Sequence, residues 1–282
     1  MTLTRKTQIG LVLAALVLFV LLFLAPKTHT GKLETIGNAA AKSTEKVESL
    51  ETFITMATKA LKPEEKTIYD AFLADAKSSK IDTSFIPVVQ FWDKQKRPDF
   101  AAYFVEQIAE RKQTSSAYTK AGDRYYYSVR FTKDNNEIPA LYLGAISCYE
   151  KAIAKDANNI DAKIQLAACF VEDGKDPMKG ISLLREVEKT DSNNVKLQLT
   201  FAFFSVKSQQ WDKAIKRFEN VLRIDPLYIE AYLHLADAYE QQGKKAKTIE
   251  MLEKYASVTE DAMAKKEVLK YITQLRDKKI NN

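Results

Sequence analysis

The chain has 282 residues, 46% of them hydrophobic and 28% charged, which supplies a packed core and excludes a disordered polypeptide. Only 8 Gly and 7 Pro occur, too few for an all-β chain with many tight turns and in keeping with long helices. The net charge of +6 is mild for this length and gives no basic track for nucleic acid.

A short tail, residues 1–8, carries Arg5 and Lys6. Residues 9–25 then read IGLVLAALVLFVLLFLA without a charge, closed by Pro26 and Lys27. As a helix this run spans about 25 Å, near the short end of what crosses a bilayer. A cleaved signal peptide and an uncleaved signal anchor both fit. The long apolar run and the lack of a clean small-x-small site favour the anchor. No Cys follows it, so it is not a bacterial lipoprotein signal. Arg5, Lys6 and the amino terminus outweigh Lys27 and Lys32 slightly, which puts the rest of the chain outside the cytoplasm, in a bacterium the periplasm.

Residues 26–38 contain Gly31, Gly37 and several Thr and read as a tether. Two juxtamembrane helices are predicted over 39–80. In the first, Ala40, Val47, Leu50, Ile54, Ala57 and Leu61 recur in steps of three and four, one helical stripe. The stripe either packs on the following domain or, as a heptad seam over residues 40–61, pairs two copies of the chain. Pro63 with Glu64 and Glu65 starts the second helix, whose apolar face is Ile68, Phe72, Leu73 and Ala76. Residues 84–111 read as a degenerate helical hairpin, with Pro98 opening its second helix.

From residue 114 to 259 the sequence repeats. Ala145-Ile146, Gly180-Ile181, Ala214-Ile215 and Thr248-Ile249 are spaced 35, 34 and 34 residues apart. Four residues beyond each small residue come Tyr149, Leu184, Phe218 and Leu252. Turn signals follow at Asp156-Ala157-Asn158, Asp191-Ser192-Asn193 and Asp225-Pro226, and Ala167, Ala202 and Ala236 recur upstream at 35 and 34. Small residues let two helices approach, and the large residue fills the gap to the next pair.

This pattern resembles the tetratricopeptide repeat, a 34-residue pair of antiparallel helices. The resemblance implies an all-α fold: a right-handed superhelical array of antiparallel helix hairpins, a TPR-like α-solenoid, here behind an N-terminal transmembrane helix. The stretch from Ser128 to Leu143 holds about 11 residues more than the family's turn, so a longer first helix and an inserted loop near Thr132–Glu137 are expected. Thr248 replaces the usual small residue. Residues 261–279 read as a capping helix with a polar outer face.

No catalytic set emerges. His29 and His234 are far apart in sequence, there is no Cys-x-x-Cys pair, and no Gly-rich phosphate loop follows a strand. No cofactor or metal is expected, and the chain does not read as an enzyme. Cys148 and Cys169 suit small buried positions, and an oxidising compartment would also permit a disulfide between them.

The resemblance implies a concave groove lined by the first helix of each repeat. On that basis the partner-binding residues are Tyr126, Tyr127, Ile164, Val171, Lys196, Leu199, Phe203, Val206, Lys207, Leu233 and Asp237, suited to a helix or extended peptide. Leu199 with Phe203, and Leu233 with Asp237, do not reproduce the Lys and Asn clamp with which some family members hold a C-terminal carboxylate. The implied role is a membrane-anchored scaffold that recruits or assembles proteins at the cell envelope. A structural subunit of a larger membrane complex, or an accessory factor of an enzyme assembly such as cytochrome maturation, are the alternatives.

Overall fold

A computed structural model describes residues 47–277. The expected membrane span at 9–25, the tether and the first part of the juxtamembrane stripe lie outside the described residues. Among the described residues no helix is long and apolar enough to cross a membrane.

These residues form thirteen α-helices and one 3-10 turn, with no strand among them. The first two are α1 (Leu50–Lys59) and α2 (Pro63–Ser78). A hairpin follows, α3 (Ile86–Lys94) and α4 (Pro98–Lys112). Four further hairpins are α5 (Ser115–Ser128) with α6 (Ile138–Lys155), α7 (Ile160–Asp173) with α8 (Pro177–Thr190), α9 (Val195–Lys207) with α10 (Trp211–Ile224), and α11 (Glu230–Gln241) with α12 (Lys245–Val258). Helix α13 (Ala262–Asp277) closes the series against α12. Each helix packs chiefly on its neighbours in sequence, as in a solenoid.

Local chemistry sets the ends. Pro63, Pro98 and Pro177 each occupy a first helical position, where no N–H is needed. Thr114, Asn159, Asp176 and Asn194 cap the next helix by accepting a backbone N–H. The first helices of the last three hairpins stop at left-handed residues in one register: Gly174 (φ 76°), Gln209 (φ 56°) and Gly243 (φ 69°). Gln209 holds a conformation that costs a side chain about 1–2 kcal/mol and that glycine adopts freely.

Packing follows the repeat. Ala145 and Ala214 are fully buried. A Cβ on Gly180 would meet the Ala167 carbonyl oxygen at 2.5 Å, so α7 and α8 touch backbone to side chain there. Thr248, almost fully buried, turns its hydroxyl onto the Lys244 carbonyl at 3.3 Å and fits the same place. In the first repeat two glycines receive two rings: Gly122 faces the Tyr149 ring and Gly144 the Tyr125 ring.

The N-terminal hairpin is joined to the repeats by charge. Lys151 on α6 reaches Glu106 (3.1 Å) and Glu110 (2.5 Å) on α4. The hydroxyls of Tyr125 and Tyr118 donate to the same two carboxylates at 2.7 and 3.0 Å. A second joint lies at the start of α4, where Arg97 binds fully buried Asp99 through two donors and Glu137 at 2.6 Å. Glu137 belongs to the 3-10 turn Asn135–Glu137 of the inserted connection and also accepts the Thr132 hydroxyl at 2.5 Å.

Three expectations are corrected. Helix α5 has 14 residues, no longer than α7 with 14; the extra sequence goes into the connection 129–137 and into the 18-residue α6. On α2, Ile68 and Phe72 are exposed, and Tyr69 with Ala76 makes the inner face. Tyr69 packs against Phe91, Trp92 and Phe104, and these contacts turn its side of the helix inward in place of Ile68 and Phe72. On α1, Leu50, Phe53 and Ile54 are buried within the same chain, so this part of the 40–61 stripe presents no free seam to a second copy.

Two predictions follow from this packing. Ala214→Leu overfills the α9–α10 contact and destabilises by about 1–3 kcal/mol, whereas Phe218→Ala empties a site of zero exposure and costs about 3–5 kcal/mol; thermal unfolding measures both. Burial, reinforced by Asp99, raises the Glu137 pKa to about 7. Its folded-state pKa thus exceeds the ordinary 4.5, and the stability it contributes is complete below that value and lost as pH rises through about 7. The Glu137 contribution to the thermal midpoint should therefore decline between about pH 4.5 and 7 and be flat above, read as the difference between the native chain and Glu137→Gln.

Candidate functional site

Successive residues of a helix are about 100° apart, which divides α9 into two faces. Leu199, Phe203 and Val206 share one; Phe201, Ser205 and Ser208 share the opposite one. The first face lies next to α11, which contributes Leu233, His234 and Asp237.

Phe203 is the centre of this surface. It is 43% exposed, although buried rings support it. Its ring meets Phe218 edge-on at 5.6 Å and His234 edge-on at 5.0 Å, while His234 stacks on Phe218 at 5.0 Å with an 18° tilt. Leu199, Val206 and Leu233 are partly buried and pack on the same core around Phe218. Lys207 and Asp237 stand exposed beside them. Helix α13 adds Ile272 and Leu275 to this core and ties on through the Tyr271 hydroxyl, which donates to Glu240 at 2.5 Å. It leaves Phe203 open to solvent.

The other expected groove residues fall elsewhere. Ile164 is fully buried between α7, α8 and α9, in a cluster with Leu184, Val187, Leu197 and Phe201. Val171 lies at the α7–α8 crossing, its Cγ2 against the space above Gly180. Neither lines an open surface. The cause is the small Gly180, which draws α8 onto the side of α7 assigned to a ligand. Tyr126 is half-buried and donates its hydroxyl to Glu172 at 2.7 Å, a strut between α5 and α7. Tyr127 is exposed and pairs with exposed Phe131 at 4.5 Å, on α5 and not with the α9–α11 residues. Lys196 forms an ion pair with Asp161 at 3.2 Å. The structure thus gathers Leu199, Phe203, Val206 and Leu233, flanked by Lys207 and Asp237.

His234 joins this surface as a half-buried ring, although the sequence analysis names it only as a histidine far from His29. Its signal was its place beside Leu233, on the helix face opposite Phe203. Burial lowers its pKa, against a smaller pull upward from Asp237 and Glu230.

Among the described residues no group of three or more His, Cys, Asp or Glu could hold a metal ion. Cys148 and Cys169 are free and fully buried, and burial drives both thiols far above their usual range, so neither is a nucleophile at neutral pH.

Because the His234 pKa lies below its ordinary 6.5, the unfolded chain takes up the proton first on acidification. The stability this ring contributes is present above about 6.5 and declines as pH falls through the folded value. Melting between about pH 7 and 5 should show a downward slope that His234→Phe reduces, and an unchanged slope in that variant would remove His234 from the stacked core.

Comparison with known proteins agrees with this geometry. Residues 206–243 match a family model described as TPR repeat, and residues 230–257 one described as tetratricopeptide repeat. Superkiller protein 3 of Schizosaccharomyces pombe (strain 972 / ATCC 24843) is 26% identical over 153 residues, 52% of this chain. The chain spans only 10% of that protein's length. Among solved structures, YrrB, a TPR protein with an unusual peptide-binding site, is 20% identical with a TM-score of 0.42, covering 72% of this chain and 99% of that one. PilW, a widely conserved type IV pilus biogenesis factor, superposes with a TM-score of 0.51 at 14% identity, covering 78% of this chain and 94% of that one. Residues 206–257, which hold α10 to α12, thus match the tetratricopeptide repeat in sequence, and the described helices before and after them complete an all-helical solenoid of that kind.

Proposed function

We propose that this chain is a non-catalytic scaffold that holds another protein on the α9–α11 face and is anchored in a membrane by residues 9–25, with its repeats on the extracytoplasmic side of the cell envelope. One observation carries the binding assignment: Phe203 stays 43% exposed on top of a fully buried Phe218. A large ring held rigidly by other rings, partly wet and flanked by Leu199, Val206 and Leu233, is the type of anchor that dominates protein interfaces. The partner is a helix or extended peptide that presents apolar side chains to this strip, with Lys207 and Asp237 setting its charge pattern at the rim. The charge-free run of residues 9–25 supports the anchor.

Replacing Phe203 with a photo-reactive phenylalanine analogue in the full chain should crosslink a discrete partner in isolated membranes, while the same group at Leu227, 86% exposed, should not. Phe203→Glu should weaken capture by about thirtyfold or more, as for a hot spot of about 2 kcal/mol, with helicity and melting nearly unchanged. If Phe203→Glu unfolds the domain instead, the ring is a core residue and the assignment fails. The anchor reading requires that the full chain stay in the membrane fraction through carbonate extraction; release into the supernatant would overturn it.

A further inference from the structure

The opposite face of α9 borders a second groove. Helices α8 and α10 diverge over it and leave a cleft of about 620 Å³ whose floor includes Phe201, Phe204 and Ser205. Its walls carry Arg185 from α8 and Lys213, Lys216 and Arg217 from α10, against one carboxylate, Glu188. Arg217 is held in place: it pairs with Glu188, donates to Gln198 at 2.9 Å and lies 4.3 Å above the Phe201 ring. Arg185, Lys213 and Lys216 are exposed and form no ion pair among the described residues; Lys213 only reaches the Gln210 side-chain oxygen at 2.5 Å.

The repeat supplies its own comparison. One hairpin earlier, the cleft between α6 and α8 is lined by two acids, Glu150 and Glu186, and two bases, Lys163 and Lys179, of which Lys179 pairs with Glu150 at 3.9 Å. One hairpin later, Lys247 and Lys254 both pair with Glu250 on α12. Moving along the 34–35 residue register, Glu150 becomes Arg185, Ser182 becomes Lys216 and Glu250 stands where Lys216 stood. Lys213 recurs as Lys179 and Lys247, but Arg185 stands where both neighbouring hairpins have a carboxylate, Glu150 and Glu219, and Lys216 where they have Ser182 and Glu250. Lys213, Lys216 and Arg217 lie three and four residues apart on one helix, an arrangement that repels itself. Lys213 also sits in the first turn of α10, where the helix dipole disfavours a cation. Arg217 returns contacts to the fold, but the exposed Arg185 and Lys216 add charge to the cleft without an ion pair among the described residues.

We propose that the α8–α10 cleft is a second docking site, for an acidic segment of a partner protein that carries an aromatic or aliphatic anchor. Carboxylates of the segment pair with Arg185, Lys213 and Lys216, and its apolar side chain rests on Phe204 beside Phe201. A recessed cleft with a phenyl floor suits a peptide better than the flat surface of an anionic bilayer, and four cations in one pocket do not make the extended track that a nucleic acid needs. The site is separate from the Phe203 face and does not depend on it.

The test uses the full chain in mild detergent and a fluorescein-labelled peptide, Asp-Glu-Glu-Phe-Leu-Glu-Glu-Asp, followed by anisotropy. The native chain should bind it, more weakly as salt rises. Lys213→Glu with Lys216→Glu should weaken binding by roughly tenfold or more with an unchanged circular dichroism melt. The milder Lys213→Gln with Lys216→Gln should act in the same direction, and it decides the matter if the reversal variant does not fold. Lys179→Glu in the neighbouring cleft and Phe203→Glu on the other face should bind as the native chain does. Absence of binding, binding indifferent to both lysine pairs, or tighter retention of polyuridylate or of phosphatidylglycerol vesicles at the same lysines would each overturn the assignment. Loss of binding in Phe203→Glu alone would show that the peptide sits on the first face and would also refute a second site.

Discussion

The close approach of paired helices at one small residue per hairpin governs this structure. Gly180 is the extreme case, since a single added carbon would press on the Ala167 carbonyl oxygen at 2.5 Å. With the axes drawn together there, the residue one turn further along the second helix, such as Phe218 or Leu184, is driven fully into the core. That burial is the main stabilising term for each hairpin. The spacing of small residue, large residue and left-handed stop repeats because each hairpin must solve the same packing problem against the next. Thr248 shows how far the constraint bends: a hydroxyl fits if it bonds back to its own helix.

The N-terminal half obeys a different rule. Helices α3 and α4 lack the spacing of the repeat; they pack on an aromatic cluster that includes Trp92, Phe100 and Phe104 and are joined to the repeats by carboxylates. Glu106 and Glu110 take Lys151 and two tyrosine hydroxyls, and Asp99 with Glu137 shares Arg97. The last joint pins the inserted 129–137 connection to the start of α4. Removing one member of such a buried set leaves a charge uncompensated.

The sequence made the repeats legible because their period is a packing constraint written in residue size. Ala145, Gly180, Ala214 and Tyr149, Leu184, Phe218 could be aligned by eye, and the structure puts all six in the core. Face assignments were less legible. Ile164 and Leu199 occupy equivalent places in two first helices, yet Ile164 is fully buried and Leu199 is not. The difference lies in neighbouring helices, not in either residue. Tyr126 failed for a related reason: a hydroxyl that finds Glu172 becomes a strut, and nothing within α5 announces a partner 46 residues away. On α2 the pattern offered Ile68, Phe72, Leu73 and Ala76; of these only Ala76 is buried, and the aromatic cluster of Phe91, Trp92 and Phe104 draws Tyr69 in beside it.

Helix α9 shows how a repeat built for packing acquires surfaces for recognition. Its Ala202 and Leu197 are fully buried, as the fold requires. Four further phenylalanine or leucine side chains lie on this helix: Phe201, buried against the preceding hairpin, Leu199 and Phe204, partly buried, and Phe203, the most exposed. Two of these, Phe201 and Phe204, floor the cationic cleft, and two, Leu199 and Phe203, belong to the face toward α11. An apolar excess on both sides of one helix is more than its own hairpin needs. Where the array keeps to its repeat, residue size serves packing; half-exposed Phe203 and the exposed cations Arg185 and Lys216 go beyond that need, and there we propose that partners bind.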